Sequence, residues 1–233
     1  MRKAAIAIEQ SAWNALGFLN FTRSHFQYYE ELLDEHADCQ VCLVDQTTGY
    51  PVAVGTCVPF SHNPGDPLPA EGWDWVVESA SRHDRPANML GGLGISVPQV
   101  HRSKGLARQV IQAMRTLAAR RGYDGVVIPV RPTSKSLHPQ VSMEEYLEWR
   151  DDRGRAYDPW LRSHLAAGGK IVGTCERSMV VEEPVAFWET WTGHRYRESG
   201  EYPFNGALVP LKVDLETQIG RYEEPNVWFS YAA

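Results

Sequence analysis

The sequence of 233 residues has no hydrophobic run long enough to span a membrane. Its longest apolar runs, such as Gly125–Val130, contain only a few residues. The apolar segment Met1–Ile8 ends at Glu9, before it reaches the length of a signal-peptide core. We therefore expect a cytoplasmic protein with no membrane partner.

Motifs for metal binding are also absent from the sequence. Cys39 and Cys42 form a Cys-x-x-Cys pair, but no second such pair follows, and the 8 histidines show no H-E-x-x-H spacing. The segment Cys39–Val44 has the composition of a half-buried strand, in which cysteine packs as a small apolar residue. We expect no metal site.

The composition is that of an ordinary globular protein, with 43% hydrophobic residues, 22% charged residues and a net charge of −6. It predicts one domain over residues 1–233, with a C-terminal extension from about residue 182 packed on the same domain. The net acidity argues against a nucleic-acid partner.

The basic residues are unevenly distributed along this acidic chain. Between Arg85 and Tyr123 there is no aspartate or glutamate. This stretch contains seven basic residues: Arg85, Arg102, Lys104, Arg108, Arg115, Arg120 and Arg121. Two interpretations remain open at this point, a solvated helix face and a site for a small polyanion.

The pattern of apolar residues predicts a mixed α/β sheet. Lys104–Arg121 has an apolar stripe at helical spacing and ends at Gly122, a residue typical of helix C-termini. Before it, Asn88–Val97 is strand-like, with glycines that indicate a bulge. After it, Gly125–Val130 is a buried strand, so the helix forms a parallel crossover between the two strands.

Weaker signals place the remaining elements. Helices are predicted within Ser11–His36, at Ser142–Arg150 and at Asp158–Ala167, and Pro59–Gly72 is predicted to be a loop. Strands are predicted at Gln40–Val44, Pro51–Val58, Lys170–Cys175, Ala207–Val213 and Asn226–Tyr231.

The turn that opens the long helix has the chemistry of a phosphate site. Its sequence is Arg102-Ser103-Lys104-Gly105-Leu106-Ala107. A helix N-terminus offers free backbone N–H groups and the positive end of the helix dipole, and small residues let a pyrophosphate approach. Gly105 and Ala107 are small, while Arg102, Lys104 and Arg108 add positive charge.

The pattern Arg102-x-x-Gly105-x-Ala107 between a strand and a helix resembles the acyl-CoA signature of the GNAT superfamily of acyltransferases. The resemblance implies the GNAT fold, a mostly antiparallel sheet with a central splayed parallel strand pair and flanking helices. It also implies acetyl-CoA or another acyl-CoA as co-substrate. Main-chain groups of Gly94, Ile95, Ser96 and Val97 would hold the pantetheine arm and the thioester. The pyrophosphate would lie at Arg102, Ser103, Lys104, Gly105, Leu106, Ala107 and Arg108.

The catalytic residues implied by the resemblance are less usual. Many members place a tyrosine acid on the helix at Asp158–Gly169, which here has no tyrosine. Residues 130–133 and 158–164 resemble a branch that includes polyketide-starter domains and nitrilase-fused proteins. In that branch Thr133 and His164 would be catalytic. Each residue also has a structural alternative. Thr133 could cap the turn after Pro132, and His164 could be a buried histidine bonded to the backbone.

The resemblance implies an enzyme that transfers an acyl group from CoA to a small-molecule amine or a carrier-protein thiol. Two alternatives remain open, a malonyl-CoA decarboxylase with S-acetyltransferase activity and a non-catalytic acyl-CoA-binding module. Members of the superfamily commonly form homodimers, which is a further expectation.

Overall fold

The structure of the chain is a computed structural model that describes residues 2–233. The α-helices in this part of the chain are α1 Arg2–Trp13, α2 Glu30–Glu35, α3 Gly72–Ser81, α4 Leu106–Arg121, α5 Met143–Glu148, α6 Pro159–Ala166 and α7 Val185–Thr192. The strands are β1 Val41–Val44, β2 Pro51–Phe60, β3 Met89–Ser96, β4 Gly125–Val130, β5 Lys170–Pro184, β6 Gly200–Tyr202, β7 Leu211–Asp214 and β8 Ile219–Ala232. None of these helices has both the length and the apolarity needed to cross a bilayer.

The eight described strands form one sheet in the order β1-β2-β3-β4-β8-β7-β6, and β5 pairs with the other edge of β8. The pair β3–β4 is parallel, and the other pairings of named strands are antiparallel. Helix α4 makes the connection between the parallel strands, as such a crossover requires. This arrangement confirms the predicted fold class.

The parallel pair separates partway along its length. Pairing joins Met89 to Gly125, Leu90 to Val126 and Gly91 to Val127, and it stops there. Against β2, Thr56 pairs with Gly94 and Cys57 pairs with Gly92, so that Leu93 is an extra residue in a β-bulge. Residues 92–96 and 128–130 therefore have main-chain groups that do not pair across the gap between β3 and β4.

Each face of the sheet carries its own apolar core. One core, which includes Trp73, Trp188 and Trp228, packs under α3 and α7. The other packs under α4 and α6. All six residues of β4 are buried, as expected for a strand covered on both faces.

Helix α4 begins two residues later than predicted. Its buried stripe consists of Val110, Ile111, Met114 and Ala118, and Gly122 ends it at φ +71°. The helix starts at Leu106 because Gly105 has the left-handed φ of +75°, which no helical residue has.

Several elements were not predicted or extend beyond their predicted bounds. Helices α3 and α7 and strand β6 had no prediction, and α1 begins well before Ser11. Strand β5 continues to Pro184, and β8 begins at Ile219. The predicted strand Ala207–Val213 forms only at its end, because β7 begins at Leu211. Met1 lies outside the described residues.

Candidate functional site

The connection from β3 to α4 contains two residues in the left-handed region, Ser103 at φ +62° and Gly105 at φ +75°. A Cβ atom built on Gly105 meets no protein atom within 4 Å, so the space in front of the helix is open. No side chain caps the helix here. The first backbone N–H groups of α4 are therefore available to an anion.

Three basic side chains surround this helix N-terminus. Arg102, Lys104 and Arg108 are exposed, and none of them forms an ion pair within residues 2–233. By contrast, Arg121 at the other end of α4 pairs with Asp38. Unpaired positive charge at a helix N-terminus favours a polyanion.

The turn and the separated end of β3 lie together. Arg102 Nε donates to the Val97 carbonyl at 3.3 Å, which joins the two parts of the predicted acyl-CoA site. On the opposite face of the sheet, Trp73 Nε1 donates to the Leu93 carbonyl at 2.9 Å and so fixes the bulge. Ile95 and Val97 are partly buried in the core beneath α4, which leaves their main chain as the polar part of this segment.

Thr133 and Asp158 lie where β4 leads toward α6. Asp158 accepts hydrogen bonds from the backbone of Trp160 at 2.8 Å, Leu161 at 3.1 Å and Ser134 at 2.7 Å, and from the Tyr146 hydroxyl at 3.0 Å. The exposed Thr133 reaches the same carboxylate with a long contact of 3.5 Å. Thr133 is thus beside the cap of α6.

His164 lies inside the protein on α6. Its ring is fully buried against Trp160 and Phe229, and Nδ1 lies 2.6 Å from the Tyr231 hydroxyl. Nε2 is buried and has no hydrogen-bond partner within residues 2–233. Burial lowers the pKa of His164 to about 3, so the ring is neutral at neutral pH. That Thr133 and His164 face the thioester stays a prediction.

The buried neutral ring of His164 should make the protein less stable in mild acid. Unfolded His164 regains its ordinary pKa of 6.5 and binds a proton that the folded state excludes until about pH 3. Its stability contribution is complete above pH 6.5 and is lost as the pH falls toward 3. Each such proton gives a slope of at most about 1.4 kcal/mol per pH unit. Urea unfolding between pH 5 and pH 7 measures this slope.

The matched comparison for this measurement is His164→Gln against His194→Gln. His194 is exposed, so its replacement should leave the slope unchanged. The His164 variant should have a smaller slope than the parent. Equal slopes for the parent and His164→Gln would show that this ring is not the proton-excluding group.

Sequence reasoning missed the part of α1 that lies on β3. Trp13 Nε1 donates to Ser96 Oγ at 3.1 Å, and Glu9 is one helical turn earlier. The hydrogen bond from Trp13 to Ser96 joins residues 83 positions apart in the chain. No local pattern in the sequence indicates such a pairing.

Comparison with known proteins identifies a relative by sequence. No family model matches the chain. An arginine N-acetyltransferase, avaD of Aspergillus versicolor, is 38% identical over 200 residues, which cover 76% of this chain and 69% of that protein.

Two solved structures share the fold. The loading GNATL domain of CurA from Lyngbya majuscula superimposes with a TM-score of 0.53 at 18% identity, over 97% of this chain and 94% of that one. A GphF GNAT-like decarboxylase in complex with isobutyryl-CoA has a TM-score of 0.53 at 16% identity, over 88% and 83% of the two chains.

The separated parallel strands, the open helix N-terminus beside them and the relative by sequence together define an acyl-CoA-dependent acyltransferase. The chain belongs to the GNAT superfamily, as its Arg102-x-x-Gly105-x-Ala107 turn predicts.

Proposed function

We propose that this enzyme transfers an acetyl group from acetyl-CoA to a nitrogen atom of arginine or of an arginine-containing small molecule. The observation that carries the proposal is the 38% identity to an arginine N-acetyltransferase over 76% of this chain. Cytoplasmic location and homodimer formation stay predictions from the sequence.

The proposed acetyl-CoA site uses the two segments that Arg102 joins. The pantetheine arm pairs with main-chain groups of Gly94, Ile95, Ser96 and Val97 in the gap beside β4, like an added strand. The pyrophosphate lies on the backbone of Ser103, Lys104, Gly105, Leu106 and Ala107. The side chains of Arg102, Lys104 and Arg108 balance its charge.

An acidic cavity on the other face of the sheet supports a cationic acceptor. Its volume is about 590 Å³, and it lies between α3, residues 21–26 and β5. Its lining includes five acidic residues, Glu71, Asp74, Glu78, Glu182 and Glu183, against three arginines, Arg23, Arg177 and Arg221. Of these, Glu71 pairs with Arg177 and Glu182 pairs with Arg221.

Among these acidic residues, we propose Asp74 as the one that binds the cationic acceptor. Its Oδ2 accepts from the Val180 backbone at 2.9 Å, while Oδ1 is buried with no hydrogen-bond partner within residues 2–233. Burial raises the pKa of Asp74 to about 7. The Thr22 and Ser24 hydroxyls also lie close to this carboxylate. A guanidinium group in the cavity would favour its charged form. The preceding residue, Trp73, contacts the bulge of β3, so the cavity and the gap adjoin the same helical turn.

The test is product analysis by mass spectrometry with acetyl-CoA or malonyl-CoA as donor. Arginine, agmatine, ornithine and pantetheine serve as acceptors. Acetylated arginine or agmatine supports the proposal. Acetylation of pantetheine alone, loss of carbon dioxide from malonyl-CoA, or binding without a product contradicts it and favours the thiol, decarboxylase or binding-module alternative, respectively.

Asp74→Asn should raise the KM for arginine while leaving the KM for acetyl-CoA unchanged. The charge of the carboxylate, rather than its shape, is what attracts a guanidinium group, and the hydrogen bond to a charged partner is worth about 1.5–3 kcal/mol, or roughly 10- to 150-fold. Asp152→Asn, at an exposed position, is the control. An unchanged KM for arginine in the Asp74 variant would exclude this carboxylate from acceptor binding.

A further inference from the structure

Helix α1 covers the segment of β3 that lies beside the gap. Trp13 Nε1 donates to Ser96 Oγ at 3.1 Å. A Cβ atom on Gly94 would lie 2.9 Å from Thr56 Oγ1 and 3.8 Å from Trp13 Nε1. One face of α1 therefore lies directly over Gly94 and Ser96, where the proposed function puts the pantetheine arm and, at its end, the thioester.

Glu9 lies on that same face of α1, because it precedes Trp13 by four residues. Its carboxylate accepts a hydrogen bond from the Tyr29 hydroxyl and is within hydrogen-bonding reach of Thr56. The Thr56 hydroxyl also lies 3.4 Å from the Gly94 carbonyl. A single buried side chain thus separates the Glu9 carboxylate from the main chain of β3.

The polar neighbours of Glu9 are the neutral hydroxyls of Tyr29 and Thr56, and no cation among residues 2–233 pairs with it. Tyr29 stacks on His25 with ring centroids 4.6 Å apart and lies 5.4 Å from the ring of Trp73. Burial raises the pKa of Glu9, as expected for a carboxylate in such a place. A desolvated carboxylate is a stronger base than an exposed one.

We propose that Glu9 is a catalytic residue that accepts the proton of the acceptor nitrogen, and that Tyr29 and Thr56 are positioning residues that hold its carboxylate toward Gly94. This inference rests on the proposed function, since it needs the thioester at Gly94. Two observations point to Glu9. Thr56 connects its carboxylate to Gly94 beside the gap, and this carboxylate forms no ion pair within residues 2–233.

The proposed step transfers one acyl group and moves two protons from nitrogen. Glu9 removes the proton that makes the acceptor nitrogen cationic, and the N–H electron pair stays on nitrogen as its lone pair. The lone pair attacks the thioester carbon, and the new C–N bond forms as the carbonyl π electrons move to oxygen. The carbonyl then re-forms, the C–S bond breaks and its electron pair leaves with sulfur, while the CoA thiolate takes up the second proton from nitrogen. Glu9 returns its own proton to water, so the products are the N-acyl compound, CoA and one proton.

The test compares Glu9→Gln with the parent enzyme, using arginine and hydroxylamine as acceptors. Arginine is cationic and needs a base, whereas hydroxylamine is largely unprotonated at neutral pH. Glu9→Gln should lower kcat with arginine by about 100-fold or more. The loss with hydroxylamine should be much smaller, and the KM for acetyl-CoA should be unchanged. Glu31→Gln, an exposed position on α2, is the control and should behave as the parent.

A purely structural role for Glu9 predicts a different result. A folded variant with parental turnover on arginine, or with equal losses on both acceptors, would overturn the assignment. Thermal melting and CoA affinity establish that the variant is folded. Glu9→Asp, which keeps the carboxylate but shortens its side chain, should lose less activity than Glu9→Gln, and an equal or greater loss would also overturn the assignment.

Failure of the proposed function gives a separate signal. If the parent acetylates neither arginine nor agmatine, the acceptor is wrong, and the slow hydrolysis of bound acetyl-CoA then tests Glu9, because attacking water also needs a base. Slower hydrolysis in Glu9→Gln supports the assignment. Unchanged hydrolysis overturns it.

Discussion

Replacing Asp158 with alanine is expected to lower the free energy of unfolding by about 3–5 kcal/mol. This buried carboxylate accepts hydrogen bonds from three backbone N–H groups and from the Tyr146 hydroxyl. Alanine would leave the Leu161 N–H and the Tyr146 hydroxyl buried without this partner and the Ser134 and Trp160 N–H groups partly buried without it, and each buried donor costs about 1–3 kcal/mol. Urea denaturation of the parent and the variant measures the difference.

Ser142 provides the matched control for Asp158. It caps α5 through one hydrogen bond, from the Glu145 backbone at 3.1 Å, and it is exposed. Ser142→Ala should cost about 1 kcal/mol, the usual value for a helix N-cap. If Asp158→Ala lowered the free energy of unfolding by no more than Ser142→Ala does, Asp158 would act only as the N-cap of α6. Its hydrogen bonds to Ser134 after β4 and to Tyr146 on α5 would then add no stability.

Replacing Gly105 with valine is expected to weaken CoA binding by at least about tenfold. The side chain would project into the open space in front of α4, where the pyrophosphate is proposed to lie. A lost hydrogen bond to a charged group costs about 1.5–3 kcal/mol, which corresponds to roughly 10- to 150-fold in affinity. Isothermal titration calorimetry with CoA gives the affinity directly.

Gly122→Val, at the other end of the same helix, is the control that distinguishes the effect of backbone strain from the effect of blocking the ligand. Gly105 and Gly122 have φ values of +75° and +71°, and a Cβ atom on either meets nothing within 4 Å. Valine at the two positions should strain the backbone similarly. Only the Gly105 variant should lose CoA affinity. Equal affinities in the two folded variants would place the pyrophosphate elsewhere.

The parts of the fold and site that the sequence predicted have local signals. These signals are the apolar stripe of α4, its end at Gly122 and the glycines of β3. Each depends only on residues within one helical turn or one strand. Asp158 followed by Pro159 likewise marks the start of α6 correctly. The crossover rule then makes β3 and β4 parallel from these elements alone.

What the sequence did not predict depends on contacts between distant residues. His164 lies on a face shared with Trp160, but its partner Tyr231 is 67 positions away in the chain. Trp73 lies in a helix that follows a proline-rich loop, and its role appears only in its hydrogen bond to Leu93, 20 positions later. Glu9 has no pattern around it, because its significance comes from Thr56 and Tyr29 on other elements.

Strand β8 is the last of the eight strands in the chain, but it lies inside the sheet. It pairs with β4 and β7 along one edge and with β5 along the other. During synthesis, β4 emerges about a hundred residues before the part of β8 that pairs with it, since Gly125 pairs with Ala232 and Val130 pairs with Val227. Its edge therefore stays open while the nascent chain grows, and an open apolar edge favours pairing with other chains. Folding is thus expected to be slow, to depend on long-range contacts and to complete only after β8 has emerged. For production of the enzyme, slower synthesis or lower temperature will not shorten this interval, whereas a chaperone that shields β4 will protect it.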